Sequence, residues 1–288
     1  MNEFEKNLLE VVEEMYDLSK EEYKQVLLQY KASRDNILQF LAQLFMEYGH
    51  DGQLDYPEIV ANGSLKNFER QVEEELNKIG TLEIAVMTSI LGAVAFQSYN
   101  KTAFQMGQTL EIGLDFKRLN QNIINEFVNF DWSGVPFSER IWKNQQALRD
   151  SLKTTLVRSI QEGESIDKIS RKFKKEFNTK AYQSERLVRT ETARVIEQAK
   201  EKLYKDIGQD KIQWLATLET NTCDECAKLD GKVFSLDDSR RPKVPKHPNC
   251  RCDYIPYIPN IPKYRKDNET KEYIPYKTYE EWSKANNI

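Results

Sequence analysis

Cysteine is missing from most of the chain. All four cysteines lie between residues 223 and 252, and the other 258 residues contain none. Histidine is equally scarce: there are two, and His247 falls inside the same stretch. Random placement would scatter four thiols along the 288 residues, so this gathering indicates a shared role. Any thiol-based metal site or disulfide is therefore restricted to this one segment.

A long apolar run is also lacking. The longest uncharged run, Ile84 to Asn100, has 17 residues with polar members throughout, which is short for a bilayer and typical of a buried helix. The first 18 residues are acidic and amphipathic, without the apolar core of a secretory signal peptide. We therefore expect no membrane span and no export to an oxidising compartment, where disulfides would form.

The spacing of the cysteines is that of a tetrahedral zinc site. Cys223 and Cys226 are three positions apart, so a tight turn brings both sulfurs to one point. Cys250 and Cys252 leave the same face of an extended segment, and His247 is a fifth candidate that can replace Cys250. A closed structural zinc takes four ligands, so the sequence leaves the choice among the five open, although it favours Cys223, Cys226 and Cys252 as three of the four. A pair of disulfides and four unlinked thiols are the alternatives.

Glycine and proline are sparse over the first two hundred residues, where apolar residues recur three and four positions apart. The expected helices run from Ser64 to about Lys78, from Thr81 through the uncharged run, from Ser138 to about Gln161, from Ser165 onward, and from about Tyr182 to Ile207. Gly163 and Gly208 are expected to end two of them.

After Gly208 the pattern becomes β-like. Short strands are expected at Lys211–Thr217, Lys232–Leu236 and Cys252–Ile258, among six prolines between residues 242 and 262. The predicted fold class is α+β: a mainly α-helical N-terminal region followed by a small zinc-stapled β module. The predicted segments are a helical region at 1–130, a further helical part at 131–208, the β module at 209–260 and an extended tail at 261–288. Within the tail, a short helix is expected at 278–285.

Charge is distributed unevenly along the chain. Residues 1–100 hold 18 acidic and 8 basic residues, whereas residues 151–205 hold 14 basic and 8 acidic residues. Two surfaces of opposite sign suggest two different partners or a contact between copies, while solvated helix faces are the simpler interpretation. The basic candidates for contact with DNA or with an acidic protein ring are Arg171, Lys172, Lys174 and Lys175.

Several motifs occur in an order that resembles the Mu F-type phage head morphogenesis family. They are Trp132-Ser-Gly134, Ser138-x-Arg140-Ile141, Arg189-Thr190-Glu191, Trp214, Cys223-x-x-Cys226 and His247-Pro-Asn-Cys250-Arg-Cys252. The resemblance covers about residues 130–258. Alone the Arg-Thr-Glu triplet is a weak signal, but in combination with the two cysteine motifs the set is specific.

The resemblance implies a minor head protein of a tailed phage, in the capsid interior of the virion and in the host cytoplasm during assembly. It implies the portal protein and the inner capsid as partners, and packaged double-stranded DNA as a further one. It also implies a role in head assembly, DNA packaging or DNA ejection. We expect no enzymatic activity, because no general base, phosphate cradle or second carboxylate appears at a matched spacing. Some relatives carry a toxin domain after this module, and none is expected in the thirty residues that follow here.

Arg189, Thr190 and Glu191 lie on a predicted helix beside its apolar stripe, so Glu191 needs a partner, and Arg194 is within reach. The expected role of the triplet is to orient this helix against the zinc module, through backbone groups of the Cys223-x-x-Cys226 turn. A catalytic pair of Arg189 and Glu191 is the rival interpretation. For the whole chain, the rivals are a zinc-ribbon-like nucleic-acid-binding protein and a zinc-dependent nuclease that uses His247.

Overall fold

Helices dominate the structure, a computed structural model that describes residues 3–110, 119–259, 264–275 and 277–286. The helices are α1 (Glu3–Tyr48), α2 (Tyr56–Ala61), α3 (Ser64–Leu110), α4 (Gln121–Asn129), α5 (Phe137–Gln161), α6 (Ile166–Asp206), α7 (Asp224–Ala227) and α8 (Tyr279–Ala285). The strands are β1 (Gly49–His50), β2 (Gln53–Leu54), β3 (Lys211–Leu215), β4 (Val233–Ser235), β5 (Asp253–Pro256), β6 (Tyr264–Lys266) and β7 (Tyr273–Pro275). The mainly helical character and the small sheets of the predicted fold class are confirmed.

Two of the helices are longer than predicted. The expected break between Lys78 and Thr81 is absent, and α3 continues through Gly80. A Cβ at Gly80 would lie 2.5 Å from the Trp142 ring, so the glycine admits the indole rather than ending the helix. The expected boundary before Tyr182 is likewise absent from α6. Both errors arose because weak local signals were overridden by tertiary packing.

The predicted helix ends at Gly163 and Gly208 are confirmed. Both glycines adopt positive φ, 66° and 72° respectively, just beyond the last residues of α5 and α6. The N–H of Gln209 donates to the carbonyl of Tyr204 at 2.8 Å, which satisfies a carbonyl that the helix end leaves open. Because only glycine adopts this backbone conformation without strain, α6 ends there and the chain turns into β3.

The chain divides into two compact units, each assembled from separate stretches. One comprises the described parts of Met1–Glu21, Ser89–Phe130 and Arg189–Ile288, and the other comprises Glu22–Thr88 and Asp131–Val188. The first contains the segment with all four cysteines, and the second contains the basic segment of α6. The four linear segments expected from the sequence stay a prediction about its organisation along the chain.

The second unit has a buried polar centre at Glu83. Its carboxylate accepts hydrogen bonds from the hydroxyls of Tyr23, at 2.8 Å, and Ser184, at 2.6 Å. The Tyr30 hydroxyl and the Gln145 amide also donate to it, at 3.1 and 3.3 Å. Burial raises the pKa of Glu83 above its ordinary value. Since buried polar groups are costly without partners, this network fixes the register of the helices that carry it.

α3 contains one apolar window that is long enough, by length and composition, to cross a membrane. Half of that window is buried inside the protein. Val94, Ala95 and Tyr99 are almost completely buried in it. The core helix of a soluble protein has the same properties, and the sequence predicted a buried helix over this run.

Candidate metal centre

A three-stranded antiparallel sheet forms the frame of the candidate centre, with β3 between β4 and β5. The pairs Ile212–Phe234 and Trp214–Tyr254 set the register. Trp214 is completely buried, and its ring meets the Tyr254 ring edge to face at 5.2 Å. The three strands predicted from the sequence are present with shorter bounds. Their short apolar core needs further support, which the connections between the strands provide.

Two tight turns carry four of the five candidate ligands. Cys223 is the N-cap residue of α7 and Cys226 lies within that one-turn helix, so the three-residue spacing closes as predicted. On the second turn, the Cys250 N–H donates to the His247 carbonyl at 3.0 Å. Asn249 adopts a positive φ of 63° there. Proline followed by a residue of positive φ is the pattern of a type II turn.

The His247 ring lies against the first cysteine pair. Its Nε2 atom is 3.3 Å from Cys223 Sγ and 3.5 Å from Cys226 Sγ. Its Nδ1 atom is 2.9 Å from the Pro248 carbonyl oxygen. A carbonyl only accepts, so Nδ1 carries the proton and the Nε2 lone pair of the neutral ring faces the two sulfurs.

The five donors form two groups that share Cys226. One group is Cys223, Cys226 and His247, and the other is Cys226, Cys250 and Cys252; within each group the ligand atoms lie within 4.8 Å of one another. All four cysteines are free thiols, so the disulfide alternative is not observed. Hydrogen bonds from the thiols of Cys226 and Cys252 lower the pKa of Cys250, whereas the contact with Cys250 raises the pKa of Cys226.

This donor set suits a metal ion of the zinc type. Sulfur and imidazole nitrogen are the ligands of closed tetrahedral zinc sites, and three of the thiols are buried where disordered water does not compete. The cluster can therefore hold a metal ion. Contacts from α6 and from the C-terminal tail keep the loops that carry these donors in place.

α6 holds the second turn through Thr190. The Thr190 hydroxyl accepts a hydrogen bond from the Asn249 N–H at 3.2 Å. The expected contact was to the Cys223-x-x-Cys226 turn, so the structure moves the attachment point to the turn that bears His247. Asn249 presents its N–H to the helix because of its positive φ, a conformation that cannot be read from the sequence alone.

Glu191 is paired as the sequence predicted. Arg194 Nε donates to Glu191 Oε2 at 2.8 Å, and both side chains are buried. Arg194 also donates to the Phe127 carbonyl at 2.7 Å, near the end of α4. A cation at the C-terminal end of a helix is stabilised by the helix dipole. Arg189, by contrast, lies on the exposed side of α6.

A buried charge network that sequence reasoning missed joins α6 to the module. Lys200 donates to the Asp253 carboxylate, and both are buried. Arg241 donates to Glu201 at 2.5 Å and lies 3.8 Å from the Glu197 carboxylate. Burial, followed by the charge of Asp253, raises the pKa of Glu197 to about 8. The sequence did contain a signal for this network. Three charged residues, at positions 197, 200 and 201, lie beside the otherwise apolar stripe of the helix.

The C-terminal tail is folded rather than extended, which corrects the sequence prediction. β6 and β7 form a hairpin, and α8 follows where a short helix was expected. Trp282 is buried and donates from Nε1 to Asp267 Oδ2 at 2.6 Å. The Asn268 N–H donates to the Leu218 carbonyl at 3.1 Å, and the Tyr279 N–H donates to Asp230 at 2.6 Å. The tail therefore clamps the loop that leads into Cys223.

The four basic candidates lie together on α6, in the second unit. Arg171, Lys174 and Lys175 are exposed and, within the part of the chain that the structure describes, have no ion-pair partner. Lys172 differs from them, because its ammonium lies 2.5 Å from Glu164 and 3.2 Å from Ser159. Three of the four charges are therefore available to a partner outside the chain.

The comparisons with known proteins agree with this organisation. Residues 150–255 match the family model described as Phage Mu protein F like protein. That match includes the C-terminal half of α5, all of α6, and the segment with the five donors. No solved structure matches the chain.

Two relatives are informative. The chain is 22% identical over 268 residues to the minor head protein GP7 of Bacillus phage SPP1, covering 85% of this chain and 87% of the relative. It is 30% identical over 205 residues to the NAD(+)--arginine ADP-ribosyltransferase EFV of Enterococcus faecalis (strain ATCC 700802 / V583). That alignment covers 65% of this chain and 42% of the relative, so the chain spans less than half of its length.

The second likeness overturns one expectation. The sequence was taken to exclude an enzyme, yet a relative with 30% identity is named as one, so that exclusion was wrong. The Mu F-like match and the likeness to a phage minor head protein support a structural role in the head, and the expected location in the virion capsid is confirmed. Residues 150–255 are a Mu F-like segment, and the chain resembles the minor head proteins of phages, as the order of its motifs predicted.

Proposed function

We propose that this chain is a structural minor head protein that lies inside the capsid near the portal and acts in head assembly, DNA packaging or DNA ejection. The observation that carries the proposal is the extent of the Mu F-like match. It spans residues 150–255, so it contains β3, β4, all but the last residue of β5, and all five metal donors. The matched segment thus covers a long helix and the sheet that follows it rather than an isolated motif.

Zinc is the cofactor that we propose for the module, in a structural role. The sheet has three to five residues per strand, and its apolar core centres on Trp214 and Tyr254. A structural zinc contributes about 10–16 kcal/mol of folding free energy in small peptides, which is enough to stabilise so small a core. Five donors for four coordination positions leave no open position for a substrate, and this favours structure over catalysis.

The exposed cations of α6 support a contact with packaged double-stranded DNA. Arg171, Lys174 and Lys175 are three and four positions apart, so they share one helix face. Among the described residues, no acidic side chain forms an ion pair with any of these three cations. A row of free cations on a rigid helix binds phosphates without reading sequence.

The test of the head role is the composition of the particle. Quantitative mass spectrometry of purified procapsids and virions should find a few copies per head. Cross-linking in procapsids should join the chain to the portal protein more often than to the major capsid protein. Complete absence of the chain from both particles would overturn the head role, while cross-links confined to the major capsid protein would overturn the portal location.

The test of DNA contact is the salt dependence of binding. Replacing Arg171, Lys174 and Lys175 by Gln should reduce the slope of log affinity against log salt concentration by about 2.7, since each phosphate contact contributes about 0.9. A matched control replaces three exposed lysines elsewhere, Lys20, Lys31 and Lys66, by Gln. An equal loss of slope in the control would show that only net charge matters and would refute the assigned face.

A further inference from the structure

We propose that the zinc ligands are Cys223 Sγ, Cys226 Sγ, His247 Nε2 and Cys250 Sγ, with the Cys252 thiol beside the ion but outside its ligand shell. The inference rests on the proposed zinc site and specifies its chemistry. Sequence spacing favoured Cys223, Cys226 and Cys252 and left the remaining ligand open, whereas the pairing of the two turns favours Cys250 over Cys252.

His247 is the first part of the argument. A histidine that binds zinc through one ring nitrogen almost always donates its other N–H to a carboxylate, a carbonyl or water. His247 shows that arrangement, because Nδ1 lies 2.9 Å from the Pro248 carbonyl oxygen. Nε2 then faces Cys223 and Cys226 at 3.3 and 3.5 Å, close to both sulfurs at once.

The pairing of the turns is the second part. Cys223 and Cys226 lie three positions apart in one turn. A hydrogen bond from the Ala227 N–H to the Cys223 carbonyl, at 2.9 Å, closes that turn. His247 and Cys250 are also three positions apart in a turn. The Cys250 N–H donates a hydrogen bond to the His247 carbonyl at 3.0 Å, which closes this second turn. Two such turns facing each other supply two ligands each, which completes a tetrahedral set.

The position of Cys252 is the third part. It directly precedes Asp253, which pairs with Leu215 in the sheet and binds Lys200 on α6. Its backbone is therefore held by the sheet and the helix, whereas Cys250 belongs to the turn that carries His247. Cys226 lies within 4.8 Å of both Cys250 and Cys252, so these distances alone place both thiols near the ion. The turn that Cys250 shares with His247 is what favours Cys250 as the ligand.

The rival arrangement has four cysteine ligands, with His247 donating a hydrogen bond to the sulfurs. X-ray absorption spectroscopy of the zinc-loaded full chain separates the two. Zinc–sulfur distances are about 2.3 Å and zinc–nitrogen distances about 2.0–2.1 Å, so the two shells are distinguishable. We expect three sulfurs and one nitrogen. Four sulfurs would overturn the ligand set while leaving zinc in place, and a chain that binds no zinc would overturn the proposed site itself.

The fourth ligand is tested with a matched pair, Cys250→Ala and Cys252→Ala. Both cysteines are buried, with 3% and 6% of their surface exposed, so the two variants remove the same group from similar surroundings. Competition with a chromophoric chelator should show that Cys250→Ala weakens zinc binding by more than about 100-fold. The loss in Cys252→Ala should stay within the about 10–100-fold typical of residues outside the ligand shell. A larger loss of zinc affinity in Cys252→Ala than in Cys250→Ala would overturn the assignment. If a variant fails to fold, the X-ray absorption spectrum of the unaltered chain still decides whether His247 is a ligand.

Discussion

The buried pair of Lys200 and Asp253 offers a quantitative test of how α6 supports the β module. Lys200 is 1% exposed and Asp253 6% exposed, and the lysine ammonium donates to the carboxylate. The Lys200→Met variant keeps the length of the side chain but leaves Asp253 buried without its partner. A second acid, Glu197, is buried nearby, and the charge of Asp253 already raises its pKa.

The expected cost of Lys200→Met is about 3–5 kcal/mol of the free energy of unfolding, the usual penalty for leaving one member of a buried ion pair alone. Removing both charges, in Lys200→Met with Asp253→Asn, should restore most of that loss, because the uncompensated carboxylate is gone. The pairwise coupling from the double-mutant cycle should therefore be large.

Urea unfolding of the zinc-loaded protein, followed by tryptophan fluorescence, measures these changes. The control is Arg158→Met, which removes an exposed partner of Glu162 and should cost no more than about 0.5 kcal/mol. A cost for Lys200→Met equal to that of the control would refute the reasoning. So would a double variant as unstable as Lys200→Met alone, since the penalty would then not come from the stranded carboxylate.

Three further predictions follow from single contacts. Hydrogen bonds from Lys168 and Lys172 lower the pKa of Glu164 to about 2, so its contribution to stability is present above the ordinary pKa and is lost as pH falls toward 2. Glu164→Gln should abolish this part of the pH dependence of unfolding. Trp282→Ala should undock the tail and accelerate hydrogen exchange at residues 218–220, with little change in α5. Thr190→Val should cost about 0.5–1.5 kcal/mol, the worth of one hydrogen bond, and zinc affinity should fall with it.

The elements of the module were predictable because their signals are local. Proline, short β-branched and aromatic runs, and the Cys223-x-x-Cys226 step each constrain a few neighbouring residues. The order β4-β3-β5 and the pairing of Trp214 with Tyr254 were not predictable, since they depend on contacts between residues about twenty and forty positions apart in the sequence. The same holds for Thr190, whose partner in the second turn depends on the positive φ of Asn249.

In the long helices, by contrast, local sequence signals led to wrong predictions. Gly80 reads as a break, yet α3 continues, because the Trp142 ring occupies the space where a side chain would lie. Lys172 reads as one of four equal basic residues, yet Glu164 and Ser159 engage it. In both cases the chemistry of the residue was interpreted correctly. The prediction was wrong because the sequence does not show which residues surround it in the fold.

The folded tail is the clearest case of a missed element. Its sequence is polar and rich in tyrosine, so it carries little apolar periodicity of its own. Its order comes from Trp282, which is buried against Asp267, and from backbone bonds to the loop before Cys223. Such a segment acquires its structure from the surface on which it docks, and sequence patterns are silent about that surface.

The most direct test of the account is a single experiment on the reduced, full-length chain. Native mass spectrometry should find one zinc ion per chain, and a chelator should remove it. Hydrogen exchange after chelation should show loss of protection across β3, β4 and β5, while α5 keeps its protection. A chain that carries no zinc under these conditions, or a sheet that stays protected after the ion is removed, would contradict the claim that a metal holds this module together.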